Sequence, residues 1–193
     1  MNSEIDSDKR LVERVKRGDK RAFDVLVLKY QHRIANLIGR YVRDQDEVLD
    51  VTQEVFVKAY RAMANFRGDA QFYTWLYRIA INTAKNFLVA KSRRPPDTDI
   101  DIDDGEFSDH PVVISDEGNP EDLLSGEDLK KVLQKALEDL PEELRTALML
   151  REVDGLSYGE IAQVMECPVG TVRSRIFRGR ELIEKRIAEM NQE

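Results

Sequence analysis

Cysteine and histidine are almost missing from this chain of 193 residues, which holds one cysteine (Cys167) and two distant histidines, His32 and His110. A lone thiol forms no internal disulfide, and this set of ligands makes no zinc site. No apolar run approaches the ~18 residues of a membrane span. The acidic start MNSEIDSDKR does not read as a secretory signal. The expectation is a soluble, cytoplasmic protein with no membrane insertion. There is no glycine-rich phosphate loop, no metal-ligand cluster and no Ser/His/Asp set, so neither enzymatic activity nor a cofactor or metal is expected. Convincing β-alternation is absent too. What remains, 41% apolar and 35% charged residues, suffices for packed cores. At this length the chain makes one domain or two small ones.

Charge is spread unevenly. Residues 97–128 carry thirteen acidic side chains and no Lys or Arg, whereas residues 1–96 have a net charge of +7 and residues 129–193 of −1. A basic N-terminal half beside an acidic stretch hints at a polyanionic partner, although a charge run alone also reads as a solvated face. From Arg93 to Asn119 the chain reads as a linker, opening with Arg-Arg-Pro-Pro and continuing through DTDIDIDDGEF without helical periodicity. Its alternating Asp and Ile do not make an EF-hand. Counted from Asp97, the sixth-position glycine is Ile102 and the twelfth-position Glu is Ser108; counted from Asp101, they are Glu106 and Val112. A mobile acidic tether is the expected role.

Both flanks read as wholly helical. Ser7 is placed to cap a helix that runs through Arg17 and stops at Gly18. Phe23, Leu26, Val27, Tyr30, Ile34, Leu37, Ile38 and Tyr41 follow at spacings of three and four. After the polar break Asp44-Gln45-Asp46, a third helix repeats Val48, Val51, Val55, Ala59 and Met63. A fourth, from about Gln71 to Ser92, turns Leu76, Ile79, Ala80, Thr83 and Phe87 inward. Asn119-Pro120-Glu121-Asp122 is a further helix start, and Leu140-Pro141-Glu142-Glu143 begins a helix ending at Gly155. The fold class expected is all-α, in two small domains.

Near the C-terminus, Ser157 and Glu160 fit a capping box. It opens a short helix with Ile161, Ala162 and Met165 inward, which Glu166-Cys167-Pro168 breaks before a longer basic helix starts at about Val169. That is the pattern of a helix-turn-helix, whose second helix enters the DNA major groove. At ~100° per residue, Val169, Val172, Ile176 and Ile183 form the buried arc, and Gly170, Thr171, Ser174, Phe177 and Arg178 the opposite face. Small residues and hydroxyls admit the helix to the groove, and the flanking Arg173 and Arg175 reach base edges or phosphates. The competing reading is a solvated amphipathic helix. Cys167, in the turn, reads as a small apolar filler.

Residues 66–77, FRGDAQFYTWLY, hold five of the fourteen aromatics beside Arg67, Arg78, Lys85, Lys91, Arg93 and Arg94. Aromatics interleaved with cations suit single-stranded nucleic acid, since rings stack on exposed bases while cations follow the phosphates. Asn82 and Asn86 are placed to bond base edges. Some of these rings must serve the core. On the third helix, Asp50, Gln53 and Glu54 at i, i+3 and i+4 make an acidic patch unsuited to DNA and better suited to a protein partner. Taken alone, that patch reads as a solvated face.

DVTQEVFVKAYRA (50–62), FRGDAQFYTWLYRIAINTAKN (66–86), LPEELRTALMLREVDGLSYGEIA (140–162) and CPVGTVRSRIFRGRE (167–181) resemble, in order, the extracytoplasmic-function sigma factors of the sigma-70 family, notably the envelope-stress, sigma-E type. The resemblance implies sigma region 2 at 8–95, an acidic linker at 96–119 and sigma region 4 at 120–190. It implies a promoter-specificity subunit of RNA polymerase that serves envelope-stress genes. Asp50, Gln53 and Glu54 would dock on the clamp helices of the largest (β′) polymerase subunit, within a core that also contains β. Phe66, Tyr73, Trp75, Arg78, Asn82 and Lys85 would melt and read the minus-ten element. Arg173, Ser174, Phe177 and Arg178 would read the minus-thirty-five duplex. It further implies an inhibitory, membrane-anchored anti-sigma factor as a partner. The alternative is a two-domain helix-turn-helix regulator that binds duplex DNA without docking on polymerase.

Overall fold

The computed structural model describes residues 2–93 and 133–190, and every regular element among them is helical. They are α1 (Asn2–Lys16), α2 (Lys20–Ile38), α3 (Gln45–Ala62), a 3₁₀ turn (Met63–Asn65), α4 (Phe72–Ser92), a short helical stretch at 133–138, α5 (Glu142–Glu152), α6 (Tyr158–Met165) and α7 (Val169–Met190). The chain divides into two compact units. Helices α1–α4 build the first, and the second is built around α5 and α7. The acidic tether and the helix start at Asn119-Pro120 lie outside the described residues.

In the first unit, α2 packs against α1, α3 and α4, and α3 against α4. Leu26, Ile34, Leu37, Ile38, Val51, Val55 and Leu76 are fully buried. Their spacing of three and four is what a helix needs to turn one apolar stripe inward. Burying such a Leu, Ile or Val contributes about 1.5–3 kcal/mol each. Val27, Val48 and Tyr41 are half-buried at the margin of the expected stripes. On α4 the buried arc takes in Leu76, Ala80 and Thr83 but is rotated toward Tyr77, Ile81 and Ala84, leaving Ile79 and Phe87 half-buried.

The first helix starts earlier than expected. It runs from Asn2, so Ser7 lies inside it and caps nothing. Next to Ser7, Asp8 is buried and accepts hydrogen bonds from Lys29 Nζ at 2.7 Å and from the Tyr30 hydroxyl. These bonds dock this turn of α1 on α2. The helix ends where Gly18 adopts φ +95°, a left-handed conformation that glycine enters without a Cβ penalty. The Asp19 amide closes back on the Arg14 carbonyl at 3.0 Å. Asp19 then caps α2, accepting from the Ala22 amide at 3.3 Å and from Arg14 Nη2 at 2.7 Å. Asp44 caps α3 through the Glu47 amide at 2.9 Å. Lys91 on α4 donates to Glu47 at 2.7 Å.

In the second unit Ala147, Leu148, Leu150, Leu156, Ile161, Val172 and Ile176 are buried. Helix α5 ends at Glu152, ahead of Gly155. The capping box at α6 is complete: the Ser157 amide donates to Glu160 Oε2 at 2.8 Å, and the Glu160 amide to Ser157 Oγ at 3.3 Å. Ile161 is buried, but Ala162 and Met165 are only half-buried. On α7 the expected arc holds at Val172 and Ile176, and Ile183 is half-buried. Val169 is 39% exposed instead of buried. The Pro168 carbonyl accepts from the Thr171 and Val172 amides, making Val169 the first residue of α7, at its outer end.

The Arg14 guanidinium, with the Ala22 amide, lowers the Asp19 pKa below its ordinary 3.8. A carboxyl whose pKa falls on folding stabilises the native state above its unfolded pKa, and that contribution disappears as pH drops through the folded value. Asp19→Asn should therefore lower the urea midpoint at pH 7, and the gap from wild type should close progressively below about pH 4. Denaturation curves at several pH values measure this.

Candidate nucleic-acid interface

Helix α4 buries one side, so the residues about 180° away must face outward. Trp75, Arg78, Asn82 and Lys85 recur at spacings of three and four and share that outer side within about 80° of arc. Asn82 is exposed, and Trp75, Arg78 and Lys85 are half-buried. Four of the six predicted minus-ten residues thus form one stripe, an aromatic ring followed by a cation, an amide and a second cation. Tyr73 lies on another side of the helix, with its ring 6.4 Å from that of Tyr77. Phe66 precedes α4 and is buried, as are Phe72 and Tyr77.

Phe66 supports the stripe from beneath. Its ring centroid lies 4.9 Å from that of Trp75 and 6.2 Å from that of Phe72, and Phe72 lies 5.8 Å from Trp75. Such tilted and edge contacts suit the ring quadrupoles. Between Phe66 and α4, Gly68 takes φ +83° and turns the loop Arg67-Gly68-Asp69-Ala70 outward. At the loop's first residue, Lys16 from the end of α1 donates its ammonium to the Phe66 carbonyl and lies 5.6 Å from the ring centroid.

Helix α3 presents Asp50, Gln53 and Glu54 to solvent. Glu54 pairs with Lys58 at 2.8 Å. Alongside them Leu49 and Val57 are exposed, so the acidic patch has an apolar margin that the sequence pattern did not single out.

In the second unit Arg173, Ser174, Phe177 and Arg178 all lie on the exposed side of α7, with Phe177 as much as 68% exposed. The Ser174 hydroxyl donates to the Thr171 carbonyl at 2.9 Å. Arg175, expected to flank the groove-facing side, is turned away. Its guanidinium is bonded to Glu143 on α5 and to Cys167 Sγ at 3.4 Å, with 18% of the side chain exposed. The carboxylate facing it from α5 draws it into the packing of the unit. Arg180 is engaged by Glu152, which raises the guanidinium pKa above its ordinary value.

One contributor went unnoticed in the sequence. The Tyr158 ring lies between two guanidinium carbons, that of Arg151 at 5.0 Å and that of Arg173 at 5.8 Å from its centroid. Arg151 is itself fixed by donating to the Leu156 carbonyl at 2.9 Å. Only the position of Tyr158 beside the capping serine could have drawn attention to it.

Comparison with known proteins follows the same division. The family model for sigma-70 region 2 matches residues 26–94, and that for sigma-70 region 4 matches residues 130–183. The chain is 58% identical over 188 residues to the RNA polymerase sigma-H factor of Pseudomonas aeruginosa, covering 97% of each chain. It is 55% identical over 185 residues to the ECF RNA polymerase sigma-E factor of Escherichia coli K12, covering 96% of each. The chain belongs to the sigma-70 family, among its extracytoplasmic-function RNA polymerase sigma factors. A regulator that never docks on polymerase is not favoured by relatives this similar over nearly their whole length. Among solved structures, CnrH in complex with the cytosolic domain of CnrY matches with a TM-score of 0.68 at 23% identity, over 95% of this chain and 98% of that one. The sigma factor RpoE bound to the anti-sigma factor NepR from Bartonella quintana matches at 0.66 and 23%, over 86% and 96%. At that identity these two show the fold alone. No helix among the described residues is long and apolar enough to cross a membrane.

Burial separates support from surface, and stability should follow. Phe66→Ala should cost about 3 kcal/mol, as large-to-small changes of buried aromatics do, whereas Arg178→Ala should stay within about 0.5 kcal/mol. Chemical denaturation of the full chain measures both.

Proposed function

We propose that the chain works as a promoter-specificity subunit, not an enzyme, in the cytoplasm, with the labour divided between its two helical units. The observation that carries the reading is the outer stripe of α4, where Trp75, seated on the Phe66 ring, is followed along one side by Arg78, Asn82 and Lys85. Residues 8–95 act as sigma region 2. An unstacked base settles on Trp75, Asn82 bonds a base edge, and Arg78 and Lys85 hold the phosphates; stacking of this kind contributes about 1–3 kcal/mol per base. Phe66 acts from below, and Tyr73, paired with Tyr77 on another side of α4, takes no part in the stripe.

Residues 120–190 act as region 4. Ser174 sits at the centre of the groove-facing side of α7, Phe177 offers an apolar contact to a thymine methyl, and Arg173 and Arg178 reach guanine edges or phosphates. Asp50, Gln53 and Glu54 dock on the β′ clamp of core polymerase, which supplies the catalysis and the β subunit. The acidic segment 96–119 connects the regions and offers DNA no cation. As a family member of envelope-stress type, the chain is held inactive by a membrane-anchored anti-sigma factor that covers the polymerase-facing surfaces.

Transcription from a mapped promoter with purified core polymerase tests this reading. Asp50→Arg should abolish co-purification with core polymerase. Trp75→Ala and Asn82→Ala should retain core binding and lower open-complex formation by about tenfold each, the equivalent of ~1.4 kcal/mol. Intact promoter opening by both variants would overturn the melting assignment. On duplex DNA carrying the upstream element, Tyr158→Leu should weaken binding about threefold while Tyr158→Phe, which keeps the ring under Arg173, should bind as wild type. That size corresponds to a cation–π contact of ~0.5–1 kcal/mol, and gel-shift titrations resolve it.

A further inference from the structure

We infer that Lys16 is a positioning residue for the minus-ten loop, an inference that rests on the melting role proposed for the stripe on α4. Lys16 stands at the C-terminal end of α1, upstream of the residues matched by the region 2 family model, which begins at residue 26. Across fifty positions of sequence its ammonium donates to the Phe66 carbonyl and sits 5.6 Å from the centroid of the Phe66 ring. One side chain thus holds both the backbone and the ring of the residue on which the loop pivots.

The consequence follows from where Phe66 lies. Its amide donates to the Met63 carbonyl at 3.1 Å, closing the 3₁₀ turn, so the Lys16 bond fixes the carbonyl on the other side of the same residue. Immediately beyond, Arg67 and Gly68 leave the core, and Gly68 takes φ +83°, a conformation open to glycine without a Cβ penalty. The Phe66 ring is also the surface against which Trp75 rests, at 4.9 Å. Losing the ammonium would release the loop at its base and the ring beneath Trp75 together. A hydrogen bond with a charged donor is stronger than a neutral one. Lys16 itself is exposed, so its replacement leaves the buried core of the first unit intact.

A positioning role differs measurably from a phosphate contact. A lysine that only touches phosphate weakens binding to every sequence alike, whereas one that sets the base-reading geometry alters the ratio between sequences. The test uses holoenzyme assembled from core polymerase and the full chain. The probes are a single-stranded oligonucleotide carrying the non-template minus-ten segment of a promoter mapped with the wild type, and a scrambled oligonucleotide of the same composition. Lys16→Met should reduce the cognate-to-scrambled affinity ratio about fivefold, the equivalent of ~1 kcal/mol, with core binding and upstream duplex binding unchanged. Lys16→Arg, which retains donors and charge, should restore most of that ratio. The neighbouring exposed cation gives the control: Arg17→Met should leave the ratio unaltered. If Lys16→Met weakens both oligonucleotides equally, or neither, the inference is overturned while the melting role stands. A wild-type holoenzyme that does not distinguish the two oligonucleotides would overturn both.

Discussion

A helix in a small bundle has only one stripe to give to its core, and α4 gives Leu76, Ala80, Thr83 and Ala84. That commitment decides which residues can meet a ligand. With α2 and α3 packed on the inner side, the outer side is fixed by geometry at Trp75, Arg78, Asn82 and Lys85. A slip of one residue would rotate the helix by ~100° and bring the stripe toward its neighbours. The fully buried Leu76 opposes that slip, because a side chain of this kind costs about 2–5 kcal/mol to truncate. The stripe proposed to meet nucleic acid is therefore as well defined as the hydrophobic packing behind it.

Electrostatics sorts the arginines of α7 in a comparable way. Four of them fall between residues 173 and 180, yet they are not equivalent. Arg175 is held against Glu143 with 18% of its side chain exposed. Arg180 engages Glu152 while half its side chain remains exposed. Exposed ion pairs are worth ~0–1 kcal/mol, so Arg180 can exchange its carboxylate for a phosphate at little cost. Arg175 would also give up a packed position. Arg173 rests over the ring of Tyr158, which restrains the guanidinium without neutralising it. The count of arginines in a basic helix thus overstates the number available to a ligand.

Much of this was legible beforehand, for reasons that differ between elements. The helices of the first unit announce themselves because Leu26, Tyr30, Ile34 and Leu37 keep a strict period, and the box at Ser157 and Glu160 is a local pattern satisfied by local bonds. On α1, Ser7 looks like a cap but lies inside the helix, and the contact of Asp8 with two residues of α2 is one that no local pattern encodes. Arg175 was misassigned for the same reason, its partner Glu143 being thirty-two residues away. At Phe66 a motif is matched position by position, and only packing reveals that the ring lies beneath the surface. The docking proposed for Asp50, Gln53 and Glu54 rests on family resemblance alone, since exposed polar and acidic residues on a helix look the same whether they meet a partner or water.

Under the proposed function, the magnitudes require that neither unit open DNA unaided. Stacking and pairing are worth about 1.4 kcal/mol per base-pair step, so unwinding five steps costs roughly 7 kcal/mol. A single half-exposed ring such as Trp75 returns about 1–3 kcal/mol by capturing one base. Asn82 and the two cations add hydrogen bonds and screened charge interactions, each worth on the order of 1 kcal/mol net. The remainder has to come from outside the stripe. Part of it is an anchored upstream contact through α7, which turns the second encounter into an intramolecular one and raises the effective concentration of the melting surface. The rest falls to the polymerase that the α3 patch is proposed to engage. So small a melting surface, if it acts as proposed, depends on its partners by arithmetic, and that dependence would tie opening to the places where all three proposed contacts coincide.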